Sequence, residues 1–207
     1  MSSPAPPTAA PLPFAESTPL GLLGLSIGCA ALVPVAMGWA VTPAALHTAS
    51  WFCLLFGAGG QLLAGLMALA NKNMLGGTLF TTFSFNWVMN WWALSGMAEG
   101  KIPDGHVILS VDVCFLLILV VLTYAFAFFS KLLVAFLATI DLLYLLRILR
   151  EVLHAPQTFA VPIALCTILL AVFALWLAFA ILVNTSAGRP IFPVPGPLLA
   201  PPPPPGA

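Results

Sequence analysis

The sequence predicts an all-α integral membrane protein with six transmembrane helices. Of the 207 residues, 61% are hydrophobic and only 6% are charged, whereas a soluble domain carries about 25% charged residues. Long apolar runs are separated by short segments rich in Pro, Gly, Asn and charged residues. The length accommodates about six spans of about 20 residues with short connections.

The composition also excludes several classes of function. Six Lys and Arg side chains balance six Asp and Glu side chains, so the basic stripe needed for nucleic-acid binding is absent. The sequence contains no GxSxG, no HExxH, no phosphate-binding glycine loop and no metal-ligand spacing. We therefore expect neither an enzyme, nor a cofactor, nor a bound metal.

Proline-rich segments stand at both ends of the chain. Residues 1–15 are rich in Pro and Ala and lack a basic region, so we interpret them as a disordered tail rather than a signal peptide. Residues 16–188 form the predicted six-helix domain. Residues 189–207 are expected to be extended or disordered rather than packed.

The first predicted span covers residues 20–41. Pro19 precedes it and suits a first helical turn, where its missing N–H costs nothing. A face of small side chains lets another helix or a ligand come close. It consists of Gly21, Gly24 and Gly28.

The second and third spans, residues 49–70 and 76–97, carry amides and hydroxyls that lipid disfavours. Gln61 is the only amide of the second span and needs a partner in the membrane. In the third span four polar side chains recur at i, i+4 with Phe83 beside them. They are Thr78, Thr82, Asn86 and Asn90. Such a row either bonds to other helices or, with Gln61 and the glycine face, lines a conduit for a polar solute.

The last three spans are expected at residues 107–129, 132–149 and 159–183. The tight turn at Ser130 makes the fourth and fifth spans antiparallel neighbours. Asp141 lies in the middle of the fifth span, where an unpaired carboxylate is costly. It is either a neutral group hydrogen-bonded between helices or a proton or gating site.

Four short motifs resemble those of the acetate uptake transporter family, also called the succinate–acetate permeases. Pro19-Leu20-Gly21-Leu22 matches the second half of the family's opening signature, and the Gln-x-x-Ala-Gly pattern recurs from Gln61 to Gly65. Phe80 to Trp87 is similar to the third-span pattern Phe-Thr-Ser-Tyr-x-x-x-Trp, and Asn184 to Pro193 is similar to the family's ending. Together these motifs span roughly residues 17–196.

The resemblance implies a six-helix protomer that encloses a narrow pore, in a homo-hexamer of the plasma membrane with both termini cytoplasmic. It implies passage of acetate, and in some members succinate, coupled to protons. By local alignment the family's hydrophobic constriction falls on Leu25, Phe83 and Ile140. Charge alone does not set the orientation, because three Lys or Arg residues flank each face.

The sequence departs from the family pattern along the expected pathway. Phe83 stands where a tyrosine is usual, and Ala68 stands where a glutamate is expected. Asn86 occupies a position that is usually aromatic or small, and Asp141 one that is commonly neutral and polar. Each change touches the expected conduit or its mouth.

These observations predict a membrane channel or proton-coupled transporter for a small monocarboxylate such as acetate. Gln61, Thr78, Thr82, Asn86 and Asn90 are the expected polar lining. One alternative is a channel of the same fold for a neutral or cationic solute. Another is a non-transporting membrane subunit, in which the polar row serves assembly and the proline-rich tail docks a partner.

Overall fold

Residues 13–200 are described by the structure, a computed structural model, and they form six helices. The helices are α1 (Thr18–Ala36), α2 (Pro43–Ala70), α3 (Met74–Ala98), α4 (Gly105–Phe126), α5 (Lys131–Val152) and α6 (Pro156–Ala187). Each predicted span overlaps one of them. The all-α prediction is confirmed for the described residues.

The connection between α1 and α2 begins earlier than predicted. α1 ends at Ala36, and Gly38 then adopts a positive φ of 73° that a helix does not continue through. α2 begins at Pro43, where the Thr42 hydroxyl accepts a hydrogen bond from the Ala45 N–H at 3.3 Å. A turn therefore replaces the last residues of the first predicted span, and α2 starts six residues before the second.

The middle of α2 departs from regular α-helix. Residues Cys53–Gly60 form a π-helical segment, which the sequence pattern does not indicate. A Cβ on Gly24 would lie 2.4 Å from the Phe56 carbonyl oxygen, so α1 crosses this segment in backbone contact. The prediction that small residues of α1 allow a close approach is confirmed here.

Side-chain caps begin three further helices. Asn73 accepts from the Gly76 N–H at 2.9 Å, Asp104 from Val107 at 3.0 Å, and Ser130 from Leu132 at 3.1 Å. Each cap satisfies a backbone donor that has no partner within the helix. The predicted tight turn before α5 is confirmed, and α4 packs against α5 as an antiparallel neighbour.

The helices surround a central axis. Backbone contacts link them in the order α3, α2, α1, α6, α5, α4. Side chains close the ring, because the Phe83 ring of α3 meets the Phe115 ring of α4 edge-on at 6.2 Å. Since α2 and α4 lie farther out, the walls nearest the axis belong to α1, α3, α5 and α6.

Five of the helices are long and apolar enough to cross a membrane, and α3 is the exception. The outer surface is apolar: Leu117 and Val121 of α4 are each 67% exposed. A soluble protein rarely exposes such a surface, and lipid covers it at no cost. α3 carries the polar row, which explains its lower hydropathy.

The first part of the C-terminal tail has no regular secondary structure, and hydrogen bonds hold it against the start of α5. Residues 189–200, which we call the C-terminal strap, contain no helix or strand. The Ser130 hydroxyl donates to the Pro195 carbonyl at 2.8 Å, and the Lys131 N–H donates to the Gly196 carbonyl at 2.9 Å. The predicted disorder at residues 1–12 and 201–207 lies outside the described residues.

Candidate functional site

Two cavities lie at opposite ends of the bundle axis. One, of about 260 Å³, lies near the ends of α1 and α3 and is lined by α1, α3, α5 and α6. We call it the arginine vestibule; its polar lining residues are Asn86, Asn90, Tyr144, Arg147, Arg150 and Thr167. The other, of about 360 Å³, lies at the opposite end, where Glu16 and Val194 are among its lining residues, and we call it the terminal vestibule.

About one helical turn separates the two vestibules on three of these helices. On α1, Leu22 lines the terminal vestibule and Leu25 the arginine vestibule; on α3 the corresponding pair is Phe80 and Phe83. On α5 the pair is Phe136 and Ile140. The vestibules therefore approach each other across a short apolar layer of the core.

The structure brings the three residues of the expected constriction to this layer. Leu25, Phe83 and Ile140, which we call the neck, are 4%, 7% and 2% exposed. All three line the arginine vestibule at its end nearest the terminal vestibule. Three large apolar side chains from three helices thus close the space between the vestibules.

Only half of the polar row of α3 faces this site. Asn86 and Asn90 line the arginine vestibule, and the Asn90 side-chain amide donates to the Asn86 carbonyl at 3.1 Å. Thr82 is half-buried and lines neither vestibule, and Thr78 is exposed. The helix has 3.6 residues per turn, so an i, i+4 row rotates by about 40° per step and leaves the axis. Of the four residues expected to line the pathway, Thr78 and Thr82 therefore lie outside both vestibules.

Gln61 lies in the bundle but away from both vestibules. It is 1% exposed, its Oε1 atom has no hydrogen-bond partner, and no residue of α2 lines either vestibule. α2 instead supports α1 and α3 from behind. Gln61, which is expected from the sequence to line the pathway, thus lies outside both vestibules, whose walls include α5 and α6 instead of α2.

Two arginines of α5, Arg147 and Arg150, line the arginine vestibule. Arg147 Nε donates to Asp112 Oδ2 at 3.0 Å, and Arg150 Nη2 donates to Glu151 Oε1 at 2.8 Å. Both arginines line the vestibule, whereas Asp112 and Glu151 do not. Two basic residues therefore line the cavity, and the carboxylates that pair with them are not lining residues.

The pair between Asp112 and Arg147 is a feature that the sequence analysis missed. Asp112 is only 3% exposed. A signal for the pair does exist, because both residues lie nearly equally far from the tight turn at Ser130. Antiparallel helices joined by a tight turn bring such positions together.

Tyr144 connects the neck to the arginines and was also missed. It is 1% exposed, its ring stacks on Phe115 at 5.4 Å, and the Arg147 Cζ atom lies 5.3 Å from its ring centroid. Phe115 in turn meets Phe83 of the neck. The Tyr144 hydroxyl is buried and has no hydrogen-bond partner among residues 13–200.

Asp141 does not face the pathway. It is half-buried at the contact between α4 and α5, where its Oδ2 atom accepts a hydrogen bond from the Thr123 hydroxyl at 2.7 Å. It lines neither vestibule. Of the two interpretations of Asp141, its position fits the group hydrogen-bonded between helices.

The loop between α3 and α4 carries a third ion pair. Lys101 Nζ donates to Glu99 Oε2 at 2.7 Å, and this hydrogen bond lowers the pKa of the Glu99 carboxyl. Within residues 13–200, no group of three or more His, Cys, Asp or Glu side chains is arranged to hold a metal ion. The chemistry available at the site is hydrogen bonding and charge.

Comparison with known proteins identifies the architecture. No protein-family model matches the chain, and no curated protein matches it in sequence. One solved structure, that of the bacterial acetate channel SatP, matches with a TM-score of 0.78 over 87% of this chain and 99% of that chain. The chain has the SatP fold.

The two chains are only 18% identical, so the likeness establishes the fold. The predicted resemblance to the succinate–acetate permeases and the predicted membrane fold are thereby confirmed at the level of architecture. With its apolar helices, a chain of the SatP fold is an integral membrane protein.

Proposed function

We propose that the chain is a membrane channel or transporter for a small monocarboxylate, with acetate as the first candidate and succinate as a second. The observation that carries this is the arrangement of charge at the arginine vestibule. Arg147 and Arg150 line the cavity, whereas their carboxylate partners Asp112 and Glu151 do not. This favours an anion over a cation, and the SatP fold supports a conduit over an assembly subunit.

The neck determines how such a solute crosses. Leu25, Phe83 and Ile140 offer no polar side-chain atom to replace the water around a carboxylate. An unpaired anion in such a layer is costly, whereas the neutral acid is much less so. We therefore propose that the solute passes the neck together with a proton. Asp141 is not assigned to this step because it lines neither vestibule.

We further propose that all six helices span the plasma membrane, with both termini cytoplasmic. α3 has 25 residues, about 37 Å of helix, which is enough to cross the hydrocarbon core. Its polar side chains would be shielded by the rest of the bundle. In this orientation the terminal vestibule faces the cytoplasm and the arginine vestibule faces outward.

The exposed apolar faces are proposed to be shared between lipid and neighbouring protomers of a homo-hexamer. Native mass spectrometry in a mild detergent tests this assembly. We expect the mass of six 21.8 kDa chains. A monomer under conditions that retain uptake would contradict the hexamer and leave the solute pathway within one chain intact.

Uptake into proteoliposomes tests the solute. Labelled acetate, succinate and the neutral analogue acetamide are compared with and without an inward proton gradient, and empty vesicles serve as the control. We expect acetate uptake that the gradient accelerates, with acetamide slower and insensitive to it. Equal or faster acetamide flux would favour a neutral-solute channel. The absence of flux for all three would favour the assembly subunit.

A further inference from the structure

The unpartnered hydroxyl of Tyr144 points to a ligand. Buried hydroxyls almost always have a hydrogen-bond partner, yet Tyr144 is 1% exposed, lines the arginine vestibule and has none within the described part of the chain. The ring is fixed by stacking on Phe115. A fixed donor at a cavity wall is available to a solute at little cost in conformational entropy.

Arg147 supplies charge beside the ring of Tyr144. Its guanidinium carbon lies 5.3 Å from the Tyr144 ring centroid, so the group lies over the ring that carries the hydroxyl. Arg147 Nε donates to Asp112, and among the described residues no acceptor is hydrogen-bonded to the two terminal nitrogens of Arg147. A guanidinium held in this way can still present paired N–H groups to a carboxylate.

Arg150 is less available for this role. Its Nε and Nη2 atoms both donate to Glu151 Oε1, at 3.0 and 2.8 Å. Arg147 therefore presents more unused donors to the vestibule than Arg150 does. On the opposite wall, the side chain of Asn86 lines the cavity from α3.

We propose that Tyr144 and Arg147 form a carboxylate-binding seat in the arginine vestibule, with the Asn86 amide facing it. The seat deepens the proposed function and rests on it. Tyr144 is one helical turn from Ile140 of the neck, so the solute binds immediately before it crosses. The cavity of about 260 Å³ holds a short carboxylate with a few waters of about 30 Å³ each.

The proposed seat predicts a selectivity between charged and neutral solutes that the neck alone does not predict. A hydroxyl and a guanidinium bond both oxygens of a carboxylate, whereas acetamide offers a single uncharged acceptor oxygen. The seat thus discriminates by charge, and the neck by size and hydration. Removing the Tyr144 hydroxyl should weaken acetate binding and leave acetamide unaffected.

The test uses Tyr144→Phe in the full chain, which keeps the ring and removes the hydroxyl. The chain has two tyrosines, and the other, Tyr124, is 64% exposed on α4, so Tyr124→Phe is the matched control. We expect the apparent KM for acetate to rise about tenfold in Tyr144→Phe, as for loss of a hydrogen bond to a charged group. Acetamide flux in this variant and acetate KM in the control should match the wild type.

Other results would overturn the seat. An unchanged acetate KM in Tyr144→Phe contradicts it, and so does an equal fall in acetate and acetamide flux, which indicates a structural role. Arg147→Lys, which keeps the charge but loses the planar donors, should raise the acetate KM without altering acetamide flux. An unchanged KM in that variant would also contradict the seat.

Failure of the proposed function would be recognised separately, as absence of acetate uptake by the wild type. The seat is then judged by acetate binding to the purified full chain, measured by saturation-transfer NMR. Binding by the wild type that weakens in Tyr144→Phe but not in Tyr124→Phe supports the seat. No binding, or equal binding by both variants, overturns it.

Discussion

The two vestibules occupy one axis but differ in chemistry. The arginine vestibule presents two guanidinium groups, two amides and a buried tyrosine. The terminal vestibule is larger and mostly apolar, with Glu16 as its one charged lining residue among those described. The difference fits the proposal that an anion binds on one side of the neck and meets an apolar cavity on the other.

The walls of the two vestibules also differ in how they are held. Asp112 and Arg147 of the arginine vestibule form a buried pair that is sensitive to loss of either partner. The terminal vestibule is built from ordinary apolar packing, including Leu79, Phe80 and Phe136, and the C-terminal strap reaches it through Val194. The polar residues of the proposed site thus lie in the wall where a substitution should lower the free energy of unfolding most.

The largest effect should come from separating the buried pair. Arg147→Met leaves Asp112 charged at 4% side-chain exposure, and the free energy of unfolding should fall by about 3–5 kcal/mol. Denaturant unfolding in detergent measures this. Adding Asp112→Leu to Arg147→Met should restore most of the lost free energy of unfolding.

The control is Leu79→Met in the terminal vestibule. It conserves side-chain volume and should lower the free energy of unfolding by less than about 1.5 kcal/mol. An equal fall in the free energy of unfolding for Arg147→Met and Leu79→Met would show that the walls of the two vestibules do not differ in sensitivity to substitution.

The next effect concerns the layer that separates the vestibules. Phe83→Ala removes the largest side chain of the neck, so acetate flux should rise several-fold and larger monocarboxylates should begin to pass. Phe85→Ala on the same helix is the control, because Phe85 is 59% exposed on the outer surface. Proteoliposome uptake measures both variants. If Phe85→Ala raised flux as much as Phe83→Ala, the neck would not be the narrowing.

A smaller effect tests which part of the α3 row faces the solute. Asn86→Leu removes one amide from the arginine vestibule, and the acetate KM should rise about fivefold, as for one lost hydrogen bond. Thr78→Val should leave KM unchanged because Thr78 is exposed on the outer surface. A larger effect for Thr78→Val than for Asn86→Leu would restore the expectation from the sequence.

The last effect is local to the C-terminal strap beside the terminal vestibule. Asn184 holds the strap by accepting from the Ile191 and Phe192 N–H groups at 2.7 and 2.9 Å and by donating to the Phe192 carbonyl at 2.8 Å. Asn184→Ala should speed amide exchange at residues 191–199 about tenfold, as measured by hydrogen–deuterium exchange. Ser186→Ala on the same exposed helix end is the control. Unchanged exchange in Asn184→Ala would mean that the strap is held elsewhere.

Much of the fold could be predicted because lipid imposes long apolar runs, which locate α3 to α6 within a few residues. The start of α2 could not, since His47 and Thr48 interrupt the apolar run within its first turns. The π-helical segment has no periodic signature and coincides with the backbone contact between Gly24 and Phe56. The π-helical segment thus lies where two helices meet, and the periodicity of one helix alone does not indicate it.

The site residues that could be predicted are those related by the helical period of a single helix. Asn86 and Asn90 follow from the helical period, while Thr78 fails because a four-residue step drifts around the axis. The neck residues came from family resemblance and not from periodicity. Arg147 and Asp112 are paired by the register of α4 against α5, which a pattern within one helix does not encode. Tyr144 looks like an ordinary core residue until the cavity beside it is known.

Two-sided labelling tests the central claim that the neck separates two distinct vestibules. Phe136→Cys and Leu143→Cys place thiols in the terminal and arginine vestibules, in a background with the four native cysteines replaced by alanine. A membrane-impermeant thiol reagent is added to either side of oriented vesicles. We expect the two positions to react from opposite sides, and acetate to protect only Leu143→Cys. Reaction of both from the same side would contradict the account.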